Sequence, residues 1–173
     1  MPSRPSLSLK ARAIGLLAQR EHSRAELRRK LLRIEHQRAR LAAMRASGDV
    51  DGPPAGLDGD EGEASEAAVD TLLDTLAAEG YLDETRFVES RLHLRASRFG
   101  AQRIRQELAL HGLKLDAAQQ EALKHSELDR AREVWLKRFG TEPSTEPTER
   151  ARQARFLLGR GFAPDLVRRL LKA

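Results

Sequence analysis

Arginine side chains gather at three places along this 173-residue chain, and the chemistry they favour is the recognition of anions. A guanidinium carries a permanent charge and a planar fork of donors that matches carboxylates and phosphates. For any single cation the alternative is a solvated helix face with a local partner, such as Glu26 for Lys30. Because the groups recur, we expect them to follow an extended anionic surface, either a nucleic-acid backbone or an acidic filament groove. The groups are Arg24, Arg28, Arg29, Lys30 and Arg33; Arg91, Arg95, Arg98, Arg103 and Arg105; and Arg150, Arg152, Arg155, Arg160, Arg168 and Arg169.

Catalytic and metal-binding patterns are not found in the sequence. The chain has no Cys, no glycine-rich phosphate loop ending in Lys-Ser or Lys-Thr, and no Ser in a nucleophile-elbow setting. None of the five His residues has a His partner four residues away that would complete a helix-borne metal pair. The acidic residues at 58–63 lack the spacing of a calcium loop. We therefore expect a protein that is not an enzyme and that carries no metal and no cofactor.

Aromatic residues make up only 4% of the chain, too few for a platform on which bases stack. Phe87, Phe99, Phe156 and Phe162 fall on helical stripes or at joints, and Trp135 lies within an apolar stripe. We expect these five side chains to pack in cores. A nucleic acid would then be held through its phosphates, with little sequence preference and a strong dependence on salt.

Charge is unevenly distributed along the chain, although the formal total is only +5. Residues 1–48 carry +9, residues 49–89 carry −12 and residues 90–173 carry +8. Two basic arms thus flank an acidic middle, an arrangement that matters more for the choice of partner than the total does. The longest early apolar run, 13–18, is too short for a signal-peptide core or a membrane span. We expect a soluble, cytoplasmic protein that does not contact membranes.

Helical periodicity dominates the chain outside two stretches, and no window alternates long enough with the period of a strand. Several predicted helices are preceded by capping residues: Ser23 with Glu26 as a capping box, Asp83, and Asp116. Pro164 stands where a first-turn proline is expected. The sequence therefore predicts an all-α chain with helices near 7–19, 24–46, 66–79, 84–98, 101–111, 116–125, 127–139, 148–159 and 164–172.

One helix–turn–helix joint recurs along the chain. A leucine, three residues, a glycine and an apolar residue occur at 76–81, 108–113 and 157–162, and a carboxylate follows eight residues after each leucine. The glycine is expected to form a left-handed C-terminal cap, and the carboxylate favours the start of the next helix. The joints predict three tandem three-helix repeats, 1–82, 83–125 and 126–173, that form an elongated curved array.

Two segments interrupt the helical pattern. Residues 49–65 are acidic and rich in Gly and Pro, the composition of a disordered insertion, and they fall within the first repeat. Residues 140–147 form a shorter polar linker within the third repeat. We expect deletion of residues 52–63 to leave the fold standing.

Four stretches of the chain carry a family resemblance. They read LLAQREHSRAELRRKLLR at 16–33, LAAEGYLDETRFVESRL at 76–92, FGAQRIRQELALHGL at 99–113 and ARFLLGRGFAPDLVRRLL at 154–171. In this order they resemble the RecX family of bacterial recombination regulators, and the first is close to the family's pattern R-x-x-S-x-x-E-L-x-x-K-L. Together they cover most of the chain outside the two interrupting segments.

The resemblance implies a regulatory function and agrees with three tandem three-helix repeats. RecX proteins act within the helical groove of the RecA filament on single-stranded DNA, where they limit filament growth, ATPase, strand exchange and coprotease activity. We therefore expect a monomer that binds the RecA filament. The alternative is a helical protein that contacts the phosphates of single- or double-stranded DNA directly and acts without RecA.

Cations of the matching stretches are the residues best suited to face the partner, because most other matching positions look like caps, cores and joints. The sequence departs from the family in its acidic insertion and at His111, where a Lys or Arg is usual. We predict a filament-binding set that consists of Arg24, Arg28, Arg29, Lys30, Arg103, Arg105, Arg160, Arg168 and Arg169.

Overall fold

The computed structural model describes residues 7–47, 59–140 and 142–172. Within these ranges the protein is helical and contains no strand, which confirms the all-α prediction. The helices are α1 (Leu9–Leu17), α2 (Arg24–Ser47), α3 (Gly59–Ala78), α4 (Glu84–Ala96), α5 (Ala101–Ala109), α6 (Ala117–His125), α7 (Glu127–Phe139), α8 (Pro147–Gly159) and α9 (Pro164–Lys172).

Side-chain caps fix where several helices begin. The Oδ1 atom of Asp116 accepts a 2.7 Å hydrogen bond from the N–H of Gln119, whose side chain accepts from the Asp116 N–H at 3.0 Å. Asp83 accepts hydrogen bonds from two first-turn N–H groups of α4. The Oγ atom of Ser23 accepts from the N–H of Glu26 at 3.1 Å. These bonds satisfy donors that have no partner inside the helix, and they confirm Ser23, Asp83 and Asp116 as capping residues.

The three glycine joints share one hydrogen-bonded geometry. Gly80, Gly112 and Gly161 have φ angles of +76°, +74° and +81°. The residue after each glycine donates its N–H to the carbonyl oxygen of the leucine that opens the motif, at 2.9, 3.0 and 3.3 Å. Each of these leucines is buried. This pattern is that of a Schellman cap, and it confirms the predicted left-handed joints.

Helix α3 begins earlier than the sequence predicts, at Gly59 rather than at 66. The residues 59–65 are therefore helical and do not belong to a disordered insertion. Alanine and glutamate, which favour helix, dominate the sequence at 63–68, and Glu66 binds Arg28 of α2 at 2.8 Å. The rest of the predicted insertion, 49–58, lies outside the described residues. The other helix ends fall within two residues of their predicted positions.

The chain divides into two compact units between Phe87 and Val88. In the first unit, α1, α2 and α3 enclose an apolar core to which each helix contributes one face. The buried residues of this core are Ala13, Leu27, Leu31, Val69, Leu73, Leu76 and Leu82.

The second unit has its main apolar core among α7, α8 and α9. Trp135 is 2% exposed, and its indole N–H donates to the side-chain oxygen of Gln153 at 3.2 Å, so the predicted core role of this tryptophan is confirmed. No helix in the described part of the chain is both long and apolar enough to cross a membrane. The buried residues of this core are Ala131, Val134, Trp135, Leu157, Phe162, Val167, Leu170 and Leu171.

Candidate functional site

The basic face of α2 is paired with carboxylates of α3. Arg28 donates hydrogen bonds of 2.7 and 3.0 Å to Asp70 and one of 2.8 Å to Glu66, and Arg24 lies 2.7 Å from Asp74. The three carboxylates recur every four residues and so share one face of α3. The hydrogen bond from Arg28 lowers the pKa of Asp70, and the bonds to Asp70 and Glu66 raise the pKa of Arg28. Two predicted filament-binding residues are thus engaged within the first unit.

The other two predicted cations of α2 have different surroundings. Lys30 places its Nζ atom 2.9 Å from Nε2 of His22 and 3.6 Å from Oε1 of Glu26. Arg29 is exposed, and its Nε atom donates to the carbonyl oxygen of Ala25 at 3.3 Å. Among the residues that the structure describes, Arg29 alone of the four has no carboxylate partner. Arg29 therefore presents an uncompensated charge to the solvent.

His22 lies beneath Lys30 and is only 1% exposed. Its Nδ1 atom is 2.9 Å from the carbonyl oxygen of Arg20. Because the ammonium of Lys30 can only donate, Nε2 is the acceptor and Nδ1 carries the proton of a neutral ring. Burial, together with the charges of Arg20 and Lys30, lowers the pKa of His22. For Glu26, burial raises the pKa, but the hydrogen bond and charge of Arg20 outweigh it and the pKa falls to about 2.

In the second unit three guanidiniums surround one aromatic ring. The Cζ atoms of Arg95, Arg103 and Arg160 lie 5.5, 5.1 and 5.8 Å from the centroid of the Phe99 ring. A ring face orients a guanidinium without neutralising it, whereas a carboxylate removes most of its field. Arg95 also binds Glu107 at 3.1 Å. The two cations that remain, Arg103 and Arg160, were both predicted, and the structure brings them together at this ring.

Packing between two joints positions Arg160. Its guanidinium lies 4.6 Å from the centroid of the Phe156 ring and donates to the carbonyl oxygen of Arg98 at 3.2 Å. Its own carbonyl oxygen accepts a 2.9 Å hydrogen bond from the N–H of Gly100. A Cβ atom at Gly100 would lie 2.1 Å from the carbonyl oxygen of Gly161, so only glycine fits here. The backbone contacts thus fix the position of the Arg160 main chain, and the ring of Phe156 orients its guanidinium.

The remaining predicted cations do not contact the ring of Phe99. Arg168 is exposed and pairs with Asp165 in the first turn of α9. Arg105 and Arg169 are also exposed, and neither has a carboxylate partner in the described ranges. The structure does not bring these three to the Phe99 ring.

Arg130 is an important residue that the sequence reasoning missed. It donates to the carbonyl oxygens of Ala96, Phe99 and Leu123 at 2.9, 2.8 and 2.7 Å, so it caps the ends of α4 and α6. Burial lowers the pKa of this guanidinium. Its partners are backbone atoms, which leave no pattern in the sequence, and no periodicity could have identified the role.

Lys137 and Arg138 were also missed. They line, together with Arg160, a cavity of about 350 Å³ in the second unit. The available signal was a pair of cations in the last turn of α7 before Gly140. The helix dipole favours cations at that position even without a ligand, so the pattern alone did not point to a site.

The fold and its cations define a class: an all-helical protein built on repeated helix–turn–helix joints, with surfaces suited to an anionic partner. Comparison with known proteins places the chain within that class. A family model described as RecX, third three-helix domain, matches residues 125–171.

Relatives are similar over nearly the full length of the chain. It is 44% identical to Regulatory protein RecX of Leptothrix cholodnii, over 98% of this chain and 91% of that protein. It is 43% identical to Regulatory protein RecX of Ralstonia nicotianae, over 99% and 91%. It is 37% identical to Regulatory protein RecX of Pseudomonas putida, over 95% and 90%. The chain belongs to the RecX family, whose members found here are named as regulatory proteins and not as enzymes.

Proposed function

We propose that the protein binds the filament that RecA forms on single-stranded DNA and limits the extension of that filament. Because RecA is active as a filament, its ATPase, strand-exchange and coprotease activities then decrease as less filament forms. The observation that carries the proposal is the similarity to RecX proteins over almost the whole chain, for example at 44% identity to the protein of Leptothrix cholodnii. The proposed role is non-catalytic and is exercised in the cytoplasm.

The distribution of uncompensated cations supports this role. Arg29 in the first unit and Arg103, Arg105 and Arg160 in the second have no carboxylate partner among the described residues, so their charges are available to an acidic surface. Contacts of this kind are individually weak because they are exposed and screened by salt. A protein that places contacts from two units on neighbouring protomers gains through effective concentration, and it binds the polymer better than a single protomer.

The test is the DNA-dependent ATPase of RecA on single-stranded DNA. We expect the added protein to lower ATP turnover at substoichiometric ratios, with filament assembly followed in parallel by light scattering. Reversal of two charges, Arg29→Glu with Arg103→Glu, should weaken the effect while circular dichroism shows unchanged helicity. Arg38→Glu with Arg152→Glu is the matched control, since it reverses two exposed arginines that already pair with Glu35 and Glu149. If ATP turnover by RecA stays unchanged and the filaments stay intact when the protein is equimolar with RecA, the proposal is contradicted.

Direct binding to DNA without RecA is the second candidate function, and one observation favours it. Guanidiniums already cover the faces of Phe99 and Phe156, so the cations of the second unit offer charge without a free ring for base stacking. Such a surface holds phosphates and does not read sequence. Affinity for bare DNA and for RecA-coated DNA, each titrated against salt, separates the two functions. Tighter binding to bare DNA favours the second.

A further inference from the structure

A cavity of about 350 Å³ in the second unit is lined by four cations and by no carboxylate. Arg98 follows the end of α4, Lys137 and Arg138 belong to the last turn of α7, and Arg160 follows α8. The ring of Phe156 forms part of the wall. These cations come from three places in the sequence, and the fold brings them to one opening.

Four positive charges around one small cavity repel each other, and the fold does little to offset the repulsion. In the described part of the chain none of the four has a carboxylate within ion-pair distance. The dipole of α7 favours Lys137 and Arg138, since both lie at its C-terminal end. Arg98 and Arg160 follow the C-terminal ends of α4 and α8, and Arg160 also donates to the carbonyl oxygen of Arg98, but these partners carry only partial negative charges. An anion in the cavity would remove the repulsion.

The Arg160 side chain is held in place before any ligand arrives. Its guanidinium lies over the rings of Phe156 and Phe99, at 4.6 and 5.8 Å, and donates to the carbonyl oxygen of Arg98. A side chain that is already ordered loses less conformational entropy on binding. Its charge is retained because the rings orient it without neutralising it.

We infer that this cavity, which we call the Arg160 cleft, binds a phosphate of a nucleic-acid backbone. An acidic peptide fits less well, since docking peptides need sockets for apolar anchors and Arg160 covers the ring of Phe156. A phosphodiester needs only donors and charge, which four cations and the hydroxyl of Ser97 supply. The inference deepens the second candidate function, direct contact with DNA, and rests on it without requiring RecA.

The experiment measures the affinity of the full chain for a fluorescent thymidine oligonucleotide by anisotropy, without RecA, over a range of salt concentrations. Arg138→Ala should weaken binding about tenfold, because one charged hydrogen bond to phosphate is lost. The slope of log affinity against log salt should shrink by about 0.7 for that contact on a single strand. Arg132→Ala removes the same charge from an exposed position of α7 that does not line the cleft. It should leave affinity within about twofold at about 0.15 M salt, because Arg132 makes no direct contact with a phosphate in the cleft and its charge acts only through solvent.

Three further measurements keep the test decisive. Lys137→Ala repeats it at a second cleft residue, and circular dichroism reports whether each variant is folded. Equal affinities for Arg138→Ala and Arg132→Ala overturn the inference. A polyglutamate peptide that displaces the probe more readily than an unlabelled oligonucleotide of equal charge also overturns it, because the cleft would then serve an acidic protein segment.

Failure of this inference differs in outcome from failure of the RecA proposal. Oligonucleotide binding that depends on Arg138, in a protein that leaves RecA turnover unchanged, supports the cleft and contradicts the filament role. If the protein inhibits RecA but its oligonucleotide affinity does not depend on Arg138, the filament role is supported and the cleft inference is contradicted.

Discussion

The backbone N–H of Gly100 donates a 2.9 Å hydrogen bond to the carbonyl oxygen of Arg160, and this bond joins the α4–α5 turn to the α8–α9 turn of the second unit. The N–H of Gln102 donates to the carbonyl oxygen of Gly161 at 3.2 Å beside it. The first turn of α5 is therefore capped by the backbone of another joint. The side chain of Glu127 adds to this cap, as it accepts from the N–H of Ala101 at 3.0 Å.

Replacing Gly100 by Ala should destabilise the protein by about 3 kcal/mol, because the backbones at this contact must separate. The new Cβ atom would lie 2.1 Å from the carbonyl oxygen of Gly161. Chemical denaturation measures the loss. Gly15→Ala is the control, since a Cβ atom in that interior position of α1 meets no atom within 4 Å. It should raise stability by about 0.5 to 1 kcal/mol. Similar effects at both glycines would contradict the close approach.

Two of the joint glycines differ in what surrounds them, and this gives a second prediction. Gly112 and Gly161 share a positive φ, but a Cβ atom at Gly112 meets nothing within 4 Å, whereas one at Gly161 lies 2.6 Å from the backbone nitrogen of Arg103. Gly112→Ala should therefore cost about 1 to 2 kcal/mol for the left-handed backbone alone. Gly161→Ala should cost about 2 kcal/mol more, because the clash adds to it. If a urea titration shows equal losses of stability for the two variants, Gly161 does not approach the backbone of Arg103 closely.

The joints and caps could be predicted from the sequence because their physics is local. Each joint consists of a glycine at C′, a leucine five residues before the next apolar residue, and a capping carboxylate. These residues interact within one or two helical turns, so a short stretch of sequence includes every partner. For the same reason nearly all helix ends were predicted closely. The exception is the start of α3 at Gly59, because the glycines and acidic residues near this start have the composition of a loop.

The roles of the arginines could not be predicted in the same way. Arg28 and Arg103 look alike in the sequence, since each is a cation on a helix near other cations. The first binds Asp70, 42 residues away, and the second lies over a ring. Whether a charge is neutralised depends on contacts between distant segments, which periodicity does not encode. The sequence therefore predicts a cationic surface, but it does not show which of its cations pair with carboxylates of the same chain and which remain free to bind a partner.

The difference between paired and unpaired cations predicts opposite effects for substitutions of Arg28 and Arg29 on α2. Arg28→Ala removes the partner of Asp70 and Glu66 and should lower the urea midpoint, more at low than at about 1 M salt. Arg29→Ala should leave the midpoint unchanged, because no carboxylate among the described residues depends on it. In the RecA assay the order should reverse, with the larger loss of inhibition for Arg29→Ala. A larger loss of inhibition for Arg28→Ala at full stability would assign the contact to Arg28 instead.

The buried His22 makes the stability of the first unit depend on pH. Burial lowers the pKa of this ring below its ordinary value of 6.5, and protonation would also place a proton between Nε2 and the ammonium of Lys30. The unfolded chain thus binds the proton at a higher pH than the folded chain. Stability therefore rises with pH in this window: the contribution is complete above pH 6.5 and is lost as the pH falls below that value.

Replacing His22 by Gln should flatten this dependence, since an amide does not titrate. The measurement is the urea midpoint at about pH 7.5 and about pH 5.5 for both proteins, a range in which Glu26, with a pKa of about 2, stays ionised. We expect the natural protein to lose more stability than His22→Gln between the two pH values, even if the variant is less stable at both. Because the comparison uses the difference between pH values, packing defects of the variant cancel. An identical pH dependence in the two proteins would mean that the folded and unfolded chains bind the proton of His22 equally well, so that burial does not lower the pKa of this ring.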